Sequence, residues 1–167
     1  KLNETFVNSK NNNNKFADVK KEFQAFIILP DERLLILPSF INLEKLECRD
    51  NQLTSLDLSN NPVLEYLNCC WNQLTSLDVS NNTALEVLNC CGNQLTELDV
   101  SNNTALLDLN CGFFFPLAHS GNLLTSLDVA HNTALTSLSC CENQLTSLDV
   151  SNNTALESLS CGVNQLT

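Results

Sequence analysis

Apolar residues return along this chain in a fixed frame. From Leu64 to Ala84 the order is LEYLNCCWNQLTSLDVSNNTA, and Leu85 to Ala105 repeats it almost unchanged as LEVLNCCGNQLTELDVSNNTA. The shared unit is L-x-x-L-x-C-x-x-N-Q-L-T-x-L-D-V-S-N-N-T-A, with units beginning at Leu43, Leu64, Leu85, Leu106, Leu135 and Leu156. A 21-residue spacing separates these starts, except that a 29-residue spacing lies between Leu106 and Leu135. A short period repeated this often predicts a solenoid, whose neighbouring units bury a continuous core. In the second unit Leu64, Leu67, Cys69, Leu74, Leu77 and Val79 are predicted to face inward. Period-two alternation about Cys69, with Leu67 in, Asn68 out, Cys69 in and Cys70 out, predicts a strand over residues 66–70. Stacked strands then form a parallel sheet, and residues 77–79 supply a brief extended piece on the opposite wall.

Before the repeats the pattern changes. Residues 1–14 are polar and predict a lead-in that buries little. Phe16, Val19, Phe23, Phe26 and Ile27 recur at helical spacing, which predicts a helix over 16–28 that ends before Pro30 and covers the first coil. Leu35 and Leu37 fall one repeat length before Leu56 and Leu58, so a degenerate half-repeat stays in phase. The division is a lead-in and cap over 1–42 and a repeat domain over 43–167. The array is expected to continue or be capped beyond Thr167, which falls in mid-repeat.

Charge sharpens the picture. All eight lysines and arginines lie in residues 1–49, against seven acids; twelve acids and no base follow. An all-acidic array repels phosphate backbones and anionic lipid heads, so nucleic acid is not an expected partner. No stretch approaches the roughly 20 apolar residues that span a bilayer, and direct membrane insertion by this segment is not expected. No secretory signal stands at the start; Lys1 fits either a processed chain or a longer one.

Asparagine marks the bends. Asn51, Asn72, Asn93, Asn122, Asn143 and Asn164 form one column, and Asn61, Asn82, Asn103, Asn132 and Asn153 another. A short amide satisfies backbone groups stranded in a turn, which makes these columns structural. With them in place, the unit L-x-x-L-x-C-x-x-N-x-L-T-x-L-D-V-S-x-N resembles the cysteine-containing 21-residue leucine-rich repeats of internalin J-like and Bacteroidota-type bacterial surface proteins. The resemblance covers residues 43–167. It implies an α/β solenoid: a leucine-rich-repeat right-handed coil with a parallel β-sheet on one face, short extended segments on the other and little helix apart from the N-terminal cap. It also implies a ladder of cysteines beneath the sheet, and adhesion or protein binding instead of catalysis.

The nine cysteines divide in two. Cys48, Cys69, Cys90, Cys111, Cys140 and Cys161 occupy the inward place, where a thiol acts as a small hydrophobe. They are expected to be free, because an in-register parallel pair points its side chains side by side. The next residues, Arg49, Cys70, Cys91, Gly112, Cys141 and Gly162, point outward, and only Cys70 and Cys91 are sulfur neighbours on adjacent coils. A metal site there lacks further ligands in sequence, since both histidines, His119 and His131, are elsewhere. A nucleophilic cysteine lacks an activating base. The aspartate ladder Asp57, Asp78, Asp99, Asp128 and Asp149 offers one carboxylate per coil, better suited to hydrogen bonding than to a calcium array. Neither catalytic nor metal residues nor a cofactor are therefore expected.

Function is sought where the pattern fails. Tyr66 and Trp71, the sole tyrosine and tryptophan, lie on the second coil. The excess after Cys111 is 113–120, beginning Phe113, Phe114, Phe115, and insertions in repeat proteins tend to sit on the binding face. Leu107 replaces the glutamate of Glu44, Glu65 and Glu86 beside it. Tyr66, Trp71, Val87, Leu107, Phe113, Phe114 and Phe115 are the expected partner-binding residues. The expected partner is another protein, from a host or a second copy; a glycan stacked on the same aromatics is the alternative, and a structural accessory subunit of a larger surface complex is a third reading. The resemblance places the chain outside the cell or on the bacterial surface, outer-membrane association included.

Overall fold

The computed structural model describes residues 34–36, 41–112 and 121–167. Strands β1 (Leu34–Ile36), β2 (Lys45–Glu47), β3 (Ser55–Asp57), β4 (Tyr66–Asn68), β5 (Val87–Asn89), β6 (Asp108–Gly112), β7 (Ser137–Cys140) and β8 (Ser158–Ser160) follow in order. Six of them form one parallel sheet, β2-β4-β5-β6-β7-β8, one strand per coil. Register follows the repeat: Tyr66 pairs with Val87 and Val87 with Asp108, while the inner row runs Leu46, Leu67, Leu88, Leu109, Leu138, Leu159. The 29-residue spacing leaves this alignment intact and appears as a register shift between Asn110 and Gly112.

The core lies between the two walls. Leu64, Leu67, Cys69, Leu74, Leu77 and Val79 are all buried, as are their counterparts in the coils on either side. Leucine rows at the same height let each coil close the next, so the apolar contact is continuous along the stack. Leu159, the outermost of its row, is 44 % exposed.

Among the described residues there is no helix, in keeping with a coil that carries little helix; the helix expected over 16–28 falls outside them. Among the described residues, the strands on the second wall are β1 and β3, paired in parallel with Leu35 opposite Leu56. Residues 77–79 form no strand. There Ser80, Ser101 and Ser151 direct their backbone N–H groups to the Asp78, Asp99 and Asp149 carboxylates two residues earlier, at 2.8–2.9 Å, as Ser59 does to Asp57 after β3. Coils on this side are joined instead by amides such as Gln73 N to Leu53 O and Gln94 N to Leu74 O, both 2.8 Å.

The bends carry the asparagines as the sequence predicts, in two chemically different columns. Asn93 Nδ2 donates to Cys69 O (3.0 Å), Cys90 O (3.0 Å) and Cys91 O (3.4 Å), while its Oδ1 accepts from Leu74 N at 3.1 Å. Asn103 Nδ2 donates to Val79 O and Asn82 O, but its Oδ1 is buried without a partner.

Candidate functional site

The sheet's outward face begins with Lys45, Tyr66, Val87, Asp108, Ser137 and Ser158 in register. Parallel strands hold such neighbours about 4.8 Å apart, close enough for long side chains to cover one another. Lys45 Nζ stands 4.4 Å from the centre of the Tyr66 ring, a cation–π contact. The Tyr66 hydroxyl donates to Glu47 Oε2 at 3.3 Å. One phenol thus links the two charged ends of β2.

That contact overturns part of the outward expectation. Glu47 belongs to an outward column, yet it is only 8 % exposed, and its Oε1 is buried without a hydrogen bond. Burial, followed by the Glu47 charge, raises the Tyr66 hydroxyl pKa. Burial likewise raises the Asp108 carboxyl farther along the column. Cys70 and Cys91 are also outward by alternation, but each is just 5 % exposed, and Cys141 is buried too. Neighbouring coils cover them. Alternation identifies the wall from which a side chain leaves, not what then lies over it.

Trp71 sits at the opposite end of β4 from Tyr66, so the two aromatics bracket the strand. Its backbone is left-handed, φ 57°, as are Asp50, Gly92, Glu142 and Val163 at equivalent places. For a residue with a Cβ this conformation costs roughly 1–2 kcal/mol. The indole lies against Gly92: a methyl group added there would approach Trp71 Cε3 to 2.8 Å. A glycine on the next coil therefore makes room for the tryptophan.

Val87, half-buried, adjoins Tyr66 on the next strand. Leu107 is 40 % exposed immediately before β6, and its carbonyl accepts Thr136 N, Ser137 N and Thr136 Oγ1. Tyr66, Val87 and Leu107 thus line the strand-entry side, with Trp71 at the exit. Phe113, Phe114, Phe115 and His119 lie outside the described residues. Both ends of that insertion are tight. A Cβ on Gly112 would collide with Cys141 O, and one on Gly121 with Glu142 O.

The inner cysteines are free thiols, Cys48, Cys69, Cys90, Cys111 and Cys140 buried in the core and Cys161 half-buried against its end. Burial pushes Cys48 and Cys140 up to about 12 and raises Cys69, Cys90 and Cys111 as well, which keeps them protonated and unreactive. On the second wall Asp78, Asp99 and Asp128 border a shallow depression with Ser80 and Ser101. Hydrogen bonds from Ser80 and Ser101 hold Asp78 and Asp99 below the ordinary carboxylate value. Among the described residues, no three His, Cys, Asp or Glu side chains gather as a metal-binding group.

No protein-family model and no curated protein matches the chain. Solved structures do match it. A leucine-rich-repeat protein of Leptospira interrogans aligns at 27% identity and TM-score 0.66, over 76% of this chain and 33% of its own. The internalin InlF of Listeria monocytogenes aligns at 25% identity and TM-score 0.63, over 71% of this chain and 35% of its own. The functional domain of InlJ from Listeria monocytogenes, which includes a cysteine ladder, shares 34% identity over 80% of this chain and 38% of its own, at TM-score 0.46. The fold likeness rests on the first two. This chain spans between 33% and 38% of the length of each of these three structures. In-register parallel strands, a buried cysteine row and asparagine-bonded bends make the chain an internalin-like, cysteine-containing leucine-rich-repeat solenoid, a fold that supports protein interaction.

Proposed function

We propose that this chain is a non-catalytic binding module of a bacterial surface or secreted protein, and that it mediates adhesion or another protein–protein contact. Tyr66, Val87, Leu107 and Trp71 form the contact surface, extended by Phe113, Phe114 and Phe115 on the 113–120 insertion. One observation carries the reading: Trp71 is held in a left-handed backbone conformation over Gly92, on a rigid sheet where a smaller residue would be cheaper. Aromatic side chains fixed on a rigid scaffold are the usual anchors of protein interfaces. The acidic remainder of the array favours a partner with neutral or basic surroundings and speeds its approach. Among the described residues no helix is long and apolar enough to cross a membrane.

The test is a protein array of host-surface and bacterial-surface proteins probed with the chain and with Tyr66→Ala/Trp71→Ala. Loss of an anchor typically costs about 2 kcal/mol or more, roughly 30-fold in Kd. The expected result is binding that weakens at least that much while the far-UV spectrum and Tm hold. Equal binding by the double variant would sink the site assignment. No protein hits, with binding to a saccharide array that is lost in the double variant, would favour the glycan reading, and binding to neither would favour a structural spacer.

A further inference from the structure

Cys70 and Cys91 stand apart from the cysteine row beneath the sheet. Their sulfurs lie 2.7 Å apart, and Cys70 Sγ also accepts the Cys91 backbone N–H at 3.2 Å. The inner sulfurs behave differently: Cys111 Sγ, for example, contacts Ser139 O at 3.6 Å. Cys141 occupies the same outward place as Cys70 and Cys91, but its neighbours on either side are Gly112 and Gly162. Sequence and stacking thus produce a single outward sulfur pair.

The backbone holds that pair in place from both sides. Asp50 N donates to Cys70 O and Trp71 N to Cys91 O, each at 2.9 Å. Asn72 and Asn93 reach the same two carbonyls with their side-chain amides. Strand spacing is common to the inner and outward pairs; what distinguishes Cys70 and Cys91 is that their sulfurs already converge to 2.7 Å instead of standing side by side. A covalent S–S bond of about 2.05 Å requires only a small further approach of the sulfurs.

We propose that Cys70 and Cys91 are a redox modification site, where a low-molecular-weight disulfide converts two thiols into a bond joining the second and third coils. Cys91 is the better first nucleophile. In the resting pair the Cys91 S–H donates to Cys70 Sγ at 2.7 Å; once Cys91 is ionised the Cys70 S–H turns to it, and that contact lowers the Cys91 pKa below the usual thiol value. The Cys91 thiolate attacks one sulfur of the small disulfide and expels one thiolate. Cys70, losing its proton to solvent, then attacks the mixed disulfide at Cys91 Sγ and expels the second. The protein loses two electrons and two protons; the small disulfide gains them and leaves as two thiols. In the inner row Cys48, Cys69, Cys90, Cys111 and Cys140 are spared because they are 0–1 % exposed, against 5 % for Cys70 and Cys91, and burial keeps them protonated. This inference is independent of what the sheet face binds.

The test is to refold the reduced 167-residue chain in a buffer of glutathione and glutathione disulfide, then quench, denature, alkylate and digest it. Thiol titration is expected to show two of the nine cysteines lost, and fragment spectra to map the link to Cys70 and Cys91. Cys91→Ser should retain all eight remaining thiols and Cys70→Ser should lose at most one, as a glutathione mixed disulfide at Cys91, with no internal link in either; Cys141→Ser should lose two as the parent does. The mapping on the unsubstituted chain stands even if a variant folds poorly. Nine titratable thiols after oxidation, or a link at Cys69–Cys90 or through Cys141, would overturn the proposal.

Discussion

Replacing Asn93 by alanine should destabilise the solenoid far more than the same change at Asn103, although both amides are buried in bends. Asn93 makes three donor contacts and one acceptor contact. The three carbonyls do not depend on it. Cys69 O retains Asn72 Nδ2 (2.9 Å), Cys90 O retains Asn122 Nδ2 (3.1 Å), and Cys91 O retains Trp71 N (2.9 Å). Leu74 N–H has no such reserve, because Asn93 Oδ1 is its sole acceptor among the described residues. Orphaning that buried amide costs about 1–3 kcal/mol, and losing the two well-formed donor bonds adds about 0.5–1.5 kcal/mol each. The expected loss is therefore about 2–6 kcal/mol. At Asn103, Val79 O keeps Asn82 N and Asn82 O keeps Leu85 N, so no group is newly orphaned. The substitution also removes an oxygen that already lacks a partner. Without an orphaned amide, its cost should be about 2 kcal/mol smaller than that of Asn93→Ala. Urea unfolding followed by far-UV circular dichroism measures both. The comparison requires matched slopes, because a repeat array can unfold in parts. Equal losses, or a larger loss at Asn103, would refute the claim that the first column alone supplies an irreplaceable acceptor.

Other substitutions probe other parts of the coil. Gly92→Ala adds a methyl against the Trp71 indole and a Cβ at φ 63°, so Trp71 emission should shift and Tm should fall, the strain at φ alone amounting to roughly 1–2 kcal/mol. Cys90→Leu overfills a fully buried place beneath the sheet and should cost about 1–3 kcal/mol in urea unfolding. Asp57, Asp78, Asp99 and Asp149 all have lowered values in the fold, through hydrogen bonds from Ser59, Ser80, Ser101 and Ser151. Depressed carboxyls contribute stability above their unfolded value, ordinarily 3.8, and lose it as pH falls through the folded value. Tm should hold from neutrality to about pH 5 and decline below about pH 4, and Ser80→Ala should move the Asp78 titration, followed by NMR, upward.

Much of the fold was legible because each coil repeats the environment of the one before it. Leu67 and Leu88 are the same position in successive coils, so spacing alone gives both their inward direction and their register. The asparagine columns were legible for the same reason. Their division into an accepting column and one with a partnerless oxygen was not, since both read simply as asparagine at a bend. Burial of Glu47, Cys70, Cys91 and Cys141 was also hidden. Period two separates faces, but coverage within a face depends on a ring lying between Lys45 and Glu47 and on coils covering their neighbours. The left-handed place was obscured because glycine occupies it only at Gly92, with Asp50, Trp71, Glu142 and Val163 elsewhere. The Cys70–Cys91 neighbourhood could be read from spacing; their 2.7 Å contact needed the path of both backbones.

The binding claim is tested most directly by a photo-crosslinking residue placed at Val87, between Tyr66 and Asp108 on the sheet face, with a second placed at exposed Thr96 toward the opposite wall. With the protein recovered from the array as partner, the account predicts covalent capture from position 87 and none from position 96. Capture from position 96 with none from position 87 would contradict it.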